Sequence, residues 1–69
     1  MSYYEYRVSQ RLELEGYSFY TIIMAAMRQA DTDNLELLKE AFPGMWQELQ
    51  DRYNLPGGVY PGEPVEEIR

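Results

Sequence analysis

A proline interrupts the longest regular apolar pattern in this chain of 69 residues. A proline inside a helix removes a backbone hydrogen bond and clashes with the carbonyl group four residues earlier, at a cost of about 3 kcal/mol. It is favourable in the first turn of a helix, and it moves the preceding residue away from helical backbone angles. Apolar residues nevertheless keep a helical spacing on both sides of Pro43, at Leu35, Leu38, Phe42, Met45, Leu49 and Tyr53. The pattern predicts two helices, at about 33–41 and 43–53, which meet at Phe42 and face one core.

The segment 18–30 is the most apolar part of the chain. Ser18 is suited to begin a helix, because its hydroxyl group can accept a hydrogen bond from a backbone N–H of the first turn. Apolar side chains cover nearly the whole circumference between Phe19 and Met27. Since a helix of this kind is usually covered on several sides, we expect a central core helix here.

A polar cluster from Asp31 to Asn34 separates the core helix from the next one. Short polar side chains of this kind favour turns and helix caps. Either Thr32 or Asp33 can cap the following helix, and Glu36 stands three residues after Asp33, as in a capping box. The cluster predicts a short loop between antiparallel helices.

The N-terminal segment fits two secondary structures. Its apolar residues alternate with polar ones, as on one face of a strand. However, Tyr4, Val8 and Leu12 are spaced four apart, as on a helix, and Gly16 suits the position after a helix end. A strand would need a partner, and the only candidate is the proline-broken C-terminal segment. We therefore prefer a helix over residues 3–15.

The domain organisation follows from these segments and from the C-terminal composition. Residues 55–69 hold three of the four prolines and three of the five glycines, with a net negative charge. We predict a helical domain at 1–54 and a flexible or loosely docked acidic tail at 55–69. The predicted fold class is all-α, a small three-helix bundle whose third helix is bent or split at Pro43.

Size and charge limit the partners of the chain. A domain of this size buries only about 60% of its unfolded surface, and without cysteine no disulfide supports it. Twelve acidic and six basic residues give a net charge of −6, so direct binding to nucleic acid is not expected.

There is no apolar run of about 18 residues and no signal peptide pattern. We expect a cytoplasmic protein without a membrane partner.

Catalysis lacks its usual residues. The chain has no histidine and no cysteine, which removes the commonest general base and most transition-metal ligands. The remaining candidates are carboxylates, such as Glu13 with Glu15 or the group Glu63, Glu66 and Glu67. Solvated surface charges explain them better, because no pocket-forming sequence accompanies them. We predict a protein that is not an enzyme and has no cofactor or metal site.

Tyrosine is the one residue type in excess, with seven in the chain. A core this small cannot bury all of them, and exposed tyrosine with methionine is typical of protein-binding surfaces. They could instead pack along the core edge with their hydroxyl groups in water. The candidate protein-binding residues are Tyr3, Tyr4, Tyr6 and Trp46.

Residues 19–58 resemble short uncharacterised proteins of bacterial prophages and other mobile elements. The similarity lies in IMAAMRQAD at 23–31, in AFP followed by Trp46, and in ELQDRYN before PGG at 48–58. It implies a bacterial or phage setting and carries over no activity.

Two hypotheses for function follow. The first is a small adaptor or regulator that binds another protein or forms a homodimer. The second is an acidic decoy that occupies a nucleic-acid-binding site on a host enzyme.

Overall fold

The computed structural model describes residues 1–64, and these contain four α-helices: α1 (Tyr3–Leu14), α2 (Phe19–Gln29), α3 (Thr32–Ala41) and α4 (Pro43–Asn54). A 3₁₀ turn, Pro56–Gly58, follows α4. No strand occurs in the described part of the chain, so the all-α class is confirmed. The last part of the predicted tail, residues 65–69, lies outside the described residues, and so do the candidate carboxylates Glu66 and Glu67 that belong to it.

Helix α1 has well-formed ends, which settles the choice between helix and strand. At its start the Ser2 hydroxyl accepts a hydrogen bond from the Glu5 backbone N–H at 3.1 Å, and the Glu5 carboxylate accepts one from the Ser2 N–H at 3.1 Å. These two bonds make a capping box. At its end Gly16 has a φ of 76°, a left-handed conformation that glycine adopts without strain.

Helix α2 begins as predicted but is packed less than predicted. The Ser18 hydroxyl accepts a hydrogen bond from the Thr21 backbone N–H at 3.1 Å. Met27 is the only residue of α2 that is fully buried, and Phe19 and Ile22 remain exposed. The expectation of a helix covered on several sides is therefore wrong for the single chain.

The turn before α3 differs from the prediction by one residue. The cap is Asp31, whose Oδ1 accepts a hydrogen bond from the Asn34 backbone N–H at 2.8 Å. Asp31 has extended backbone angles, whereas Thr32 already belongs to the helix. Thr32 and Asp33 are therefore not caps, because a capping residue must lie outside the helical angles.

The break at Pro43 occurs where the sequence predicts it. Phe42 has φ −132° and ψ 63°, which ends α3, and Pro43 is the first residue of α4. The apolar pattern faces inward along most of its length. Leu49 is buried, and the four earlier members of the pattern are half-buried: Leu35, Leu38, Phe42 and Met45. Tyr53 does not take part, since its side chain is exposed.

Helix α4 is the centre of the packing. It contacts α2, α3 and the 3₁₀ turn, and among the described residues only Met27, at 3% exposure, and Leu49, at 9%, are buried apolar residues. Helix α1 buries no residue. The four helices are therefore unequal in packing, and a three-helix bundle is not confirmed for the single chain.

Candidate binding surfaces

Three of the four predicted binding residues lie at the start of α1. Tyr3, Tyr4 and Tyr6 are 74%, 76% and 60% exposed. The ring centroids of Tyr3 and Tyr6 are 6.4 Å apart. We call these three residues the tyrosine surface. The alternative of tyrosines packed along a core edge does not describe them, because most of each side chain is accessible to solvent.

Trp46 lies elsewhere, in a groove formed by α2, α3, α4 and the 3₁₀ turn. The groove has a volume of about 580 Å³. Its lining is mostly apolar and includes no residue of α1: Met24, Met27, Arg28, Leu35, Trp46, Leu49, Gln50, Arg52, Tyr53, Gly57 and Gly58. The Lys39 ammonium group lies 5.0 Å from the centroid of the Trp46 ring, a cation–π contact. The fourth predicted residue is thus half-buried and separate from the tyrosine surface.

At one end of this groove, Arg52 fixes the segment that follows α4. Its guanidinium group donates hydrogen bonds to both carboxylate oxygens of Glu63 at 2.7 Å, to the Gly58 carbonyl at 2.7 Å and to Glu48 at 2.9 Å. The same group lies 4.6 Å from the centroid of the Tyr60 ring. Paired bonds of this type need the planar fork of arginine. Arg52 therefore joins the segment 55–64 to α4 at several points, and the Tyr60 hydroxyl adds a hydrogen bond to Asp51 of α4 at 3.4 Å.

The ionisation of this Arg52 cluster follows from its contacts. The hydrogen bonds from Arg52 lower the pKa of Glu63, against an opposing effect of partial burial. The bonds to Glu63 and Glu48 raise the pKa of Arg52 above its usual value. Burial raises the pKa of Tyr60, and the nearby Asp51 carboxylate adds to the effect. At neutral pH the ion pair is fully charged and Tyr60 is protonated.

The Arg52 cluster is not predictable from local sequence patterns. Glu63 is eleven residues from Arg52, and no local spacing rule connects them. Gly58, with a φ of 71°, turns the chain so that its carbonyl group meets Arg52. The one available signal was the pair Glu48 and Arg52, four residues apart on a helix.

Charge and exposed apolar surface divide the chain into two halves. Residues 1–30, the N-terminal half, contain three acidic and three basic residues, so their formal charge is zero. Residues 31–69, the C-terminal half, contain nine acidic and three basic residues and carry the whole net charge of −6. Of the twelve exposed large apolar residues described, ten lie in the N-terminal half and the other two are Leu37 and Tyr53.

The described residues contain no cluster of metal-binding side chains. None of the helices between residues 1 and 64 is long and apolar enough to cross a membrane. A comparison of the chain with protein-family models, with characterised proteins and with solved structures finds no match. The resemblance to prophage proteins therefore stays an expectation, and the binding surfaces are the basis for a proposal of function.

Proposed function

We propose that this chain is a small non-catalytic adaptor or regulator, of phage or mobile-element origin, that binds another protein through the tyrosine surface. The observation that carries the proposal is a fully capped helix without a buried residue that exposes three tyrosines among its first four residues. Tyrosine supplies a large contact area at a low cost in conformational entropy. An isolated helix of twelve residues is only marginally stable in water, so a partner on α1 would also stabilise its fold.

The predicted three-helix bundle belongs to this proposal. Helices α2, α3 and α4 already contact one another through α4, whereas α1 buries no residue. We assign the missing contacts of α1 to the bound state. In that state α1 joins a bundle whose other members include helices of a second molecule.

A second candidate is the acidic decoy, and the charge distribution supports it. All of the net charge lies in the C-terminal half, where Lys39 and Arg52 are already paired with carboxylates of the same chain. A surface of this kind can occupy a basic site that normally holds phosphates. Binding would then depend on charge, and it would weaken steeply with salt.

One capture experiment tests both candidates. The baits are the full chain, the double variant Tyr4→Ser with Tyr6→Ser, and Tyr53→Ser as the matched control, because Tyr53 is an exposed tyrosine of α4 that lines the groove and lies outside the tyrosine surface. A bacterial lysate is passed over each bait, and bound protein is eluted in steps of salt. For an adaptor we expect a partner that resists high salt, is lost from the double variant and is kept by Tyr53→Ser.

The other outcomes contradict the adaptor. A nuclease, polymerase or repressor that leaves all three baits at moderate salt would support the decoy. A partner kept equally by the double variant would show that the tyrosine surface is not the binding site. Circular dichroism of the three baits should be the same, since none of the substituted residues is buried.

A further inference from the structure

The area of the single chain is too large for a compact protein of its size. It exposes 6303 Å², whereas a compact monomer of 8.2 kDa exposes about 4,500 Å². Its radius of gyration is 14.2 Å, against about 11 Å for a compact domain of this length. The surplus is about 1,800 Å², and a stable dimer buries about 800 Å² per subunit, with more in obligate dimers.

The exposed large apolar side chains that the structure describes are concentrated in the N-terminal half. The exposed apolar side chains of the N-terminal half form what we call the N-terminal surface: Met1, Tyr3, Tyr4, Tyr6, Leu12, Leu14, Tyr17, Phe19, Tyr20 and Ile22. They belong to α1, to its connection with α2 and to the first turns of α2. Where exposed apolar side chains lie together on a surface, they mark an interaction site.

The charge distribution favours a second copy of the chain over a polyanion as the occupant. Two copies of a chain with a charge of −6 repel each other unless their charged parts stay apart. The N-terminal half is neutral, so two copies can meet there while both acidic halves point into water. A nucleic acid or an anionic membrane would be repelled by the acidic half and would gain little from a neutral surface.

We propose that the partner of the N-terminal surface is a second copy of this chain, and that the protein is a homodimer held together by α1 and the first turns of α2. This inference rests on the proposed function, since it names the partner of the same helix. In the dimer the outer side of α2 is covered, as the sequence predicts for so apolar a helix. The marginal core of each copy is extended by the core of the interface.

The first test measures the mass of the purified full chain by analytical ultracentrifugation over a range of concentrations. We expect a mass of about twice 8.2 kDa. The double variant Leu12→Gln with Ile22→Gln should raise the dissociation constant about tenfold or more, because it places two amides in an apolar interface. Leu37→Gln, at an exposed leucine of α3, should leave it unchanged. Salt should strengthen the dimer, because it screens the repulsion between the acidic halves.

A second measurement does not depend on the folding of that double variant. The chain has no cysteine, so a single introduced cysteine can be linked only to another copy. Leu14→Cys should give a covalent dimer with a short bismaleimide linker, and Leu37→Cys should not. Both leucines are exposed, so neither change should disturb folding.

The outcomes separate this inference from the proposed function. A mass of 8.2 kDa at every concentration, or equal linking at positions 14 and 37, would overturn the homodimer. If that monomer still captures a lysate protein through Tyr4 and Tyr6, the adaptor survives without the dimer. A dimer weakened by Leu12→Gln with Ile22→Gln supports the inference even where the capture experiment yields no other partner.

Discussion

The two ends of the described chain hold their structure in opposite ways. Helix α1 is regular, with a cap at each end, yet it buries no residue. Residues 55–64 contain only one 3₁₀ turn, yet Arg52 ties Gly58 and Glu63 to α4. One end is ordered by its local hydrogen bonds, and the other by contacts with a distant side chain.

The contrast separates two sources of order. Local order follows from caps and helix propensity, and it gives a helix no defined position on the rest of the protein. Contacts between distant residues fix a position even where the backbone is irregular. The free helix is therefore suited to bind a partner, and the fixed segment is suited to complete the surface of α4.

The largest effect is expected where the packing is densest. Leu49→Ala should lower the free energy of unfolding by about 2–5 kcal/mol, because it removes buried methyl groups from the core and leaves a cavity. Leu14→Ala, on the free helix, should change it by less than about 0.5 kcal/mol. Thermal unfolding followed by circular dichroism, at concentrations where the chain is monomeric, measures both. Equal effects would mean that α1 is packed as firmly as α4.

The second effect is the release of the C-terminal segment. Arg52→Gln should remove the paired bonds to Glu63 and the bond to the Gly58 carbonyl, because the amide cannot reach all three acceptors. Amide hydrogen exchange should then become faster at residues 55–63 and stay unchanged in α1. Arg7→Gln, at an exposed arginine of α1, is the control. Unchanged exchange in Arg52→Gln would show that contacts other than those of Arg52 hold the segment.

The third effect is a dependence of this docking on pH. The folded chain lowers the pKa of Glu63 from the ordinary value of 4.5, so the ion pair stabilises the docked segment above that value. The stabilisation is lost as the pH falls through the lowered pKa. The rates of hydrogen exchange at Tyr60 and Glu63 are divided by the rates expected for an unstructured chain at each pH. The corrected rates should rise only in acid. In Glu63→Gln the acid-induced change should disappear, and a change that persists there would point to another carboxylate.

How much the sequence could predict follows the same division. The break at Phe42, the cap at Ser18 and the helical N-terminus depend on residues within one or two turns, and all three are confirmed. The contact between Arg52 and Glu63 could not be predicted, because it depends on how the glycines at 57 and 58 turn the chain. The exposure of α2 is also not predictable, since an apolar helix indicates that burial is needed and not which molecule supplies it. The roles of Tyr3, Tyr4, Tyr6 and Trp46 in binding stay predictions.

The smallest effect concerns the local order of α1. Ser2→Ala should remove the capping bond to the Glu5 N–H and cost about 1 kcal/mol, in a helix that buries no residue. Helicity measured by circular dichroism should fall slightly, and exchange should become faster in the first turn of α1. Ser9→Ala, inside the same helix, should keep or raise the helicity, because alanine has the higher helix propensity. If Ser2→Ala has no effect at dilute concentration but the helix persists, then contacts outside the capping box order α1. The contrast with residues 55–64 would then be one of degree.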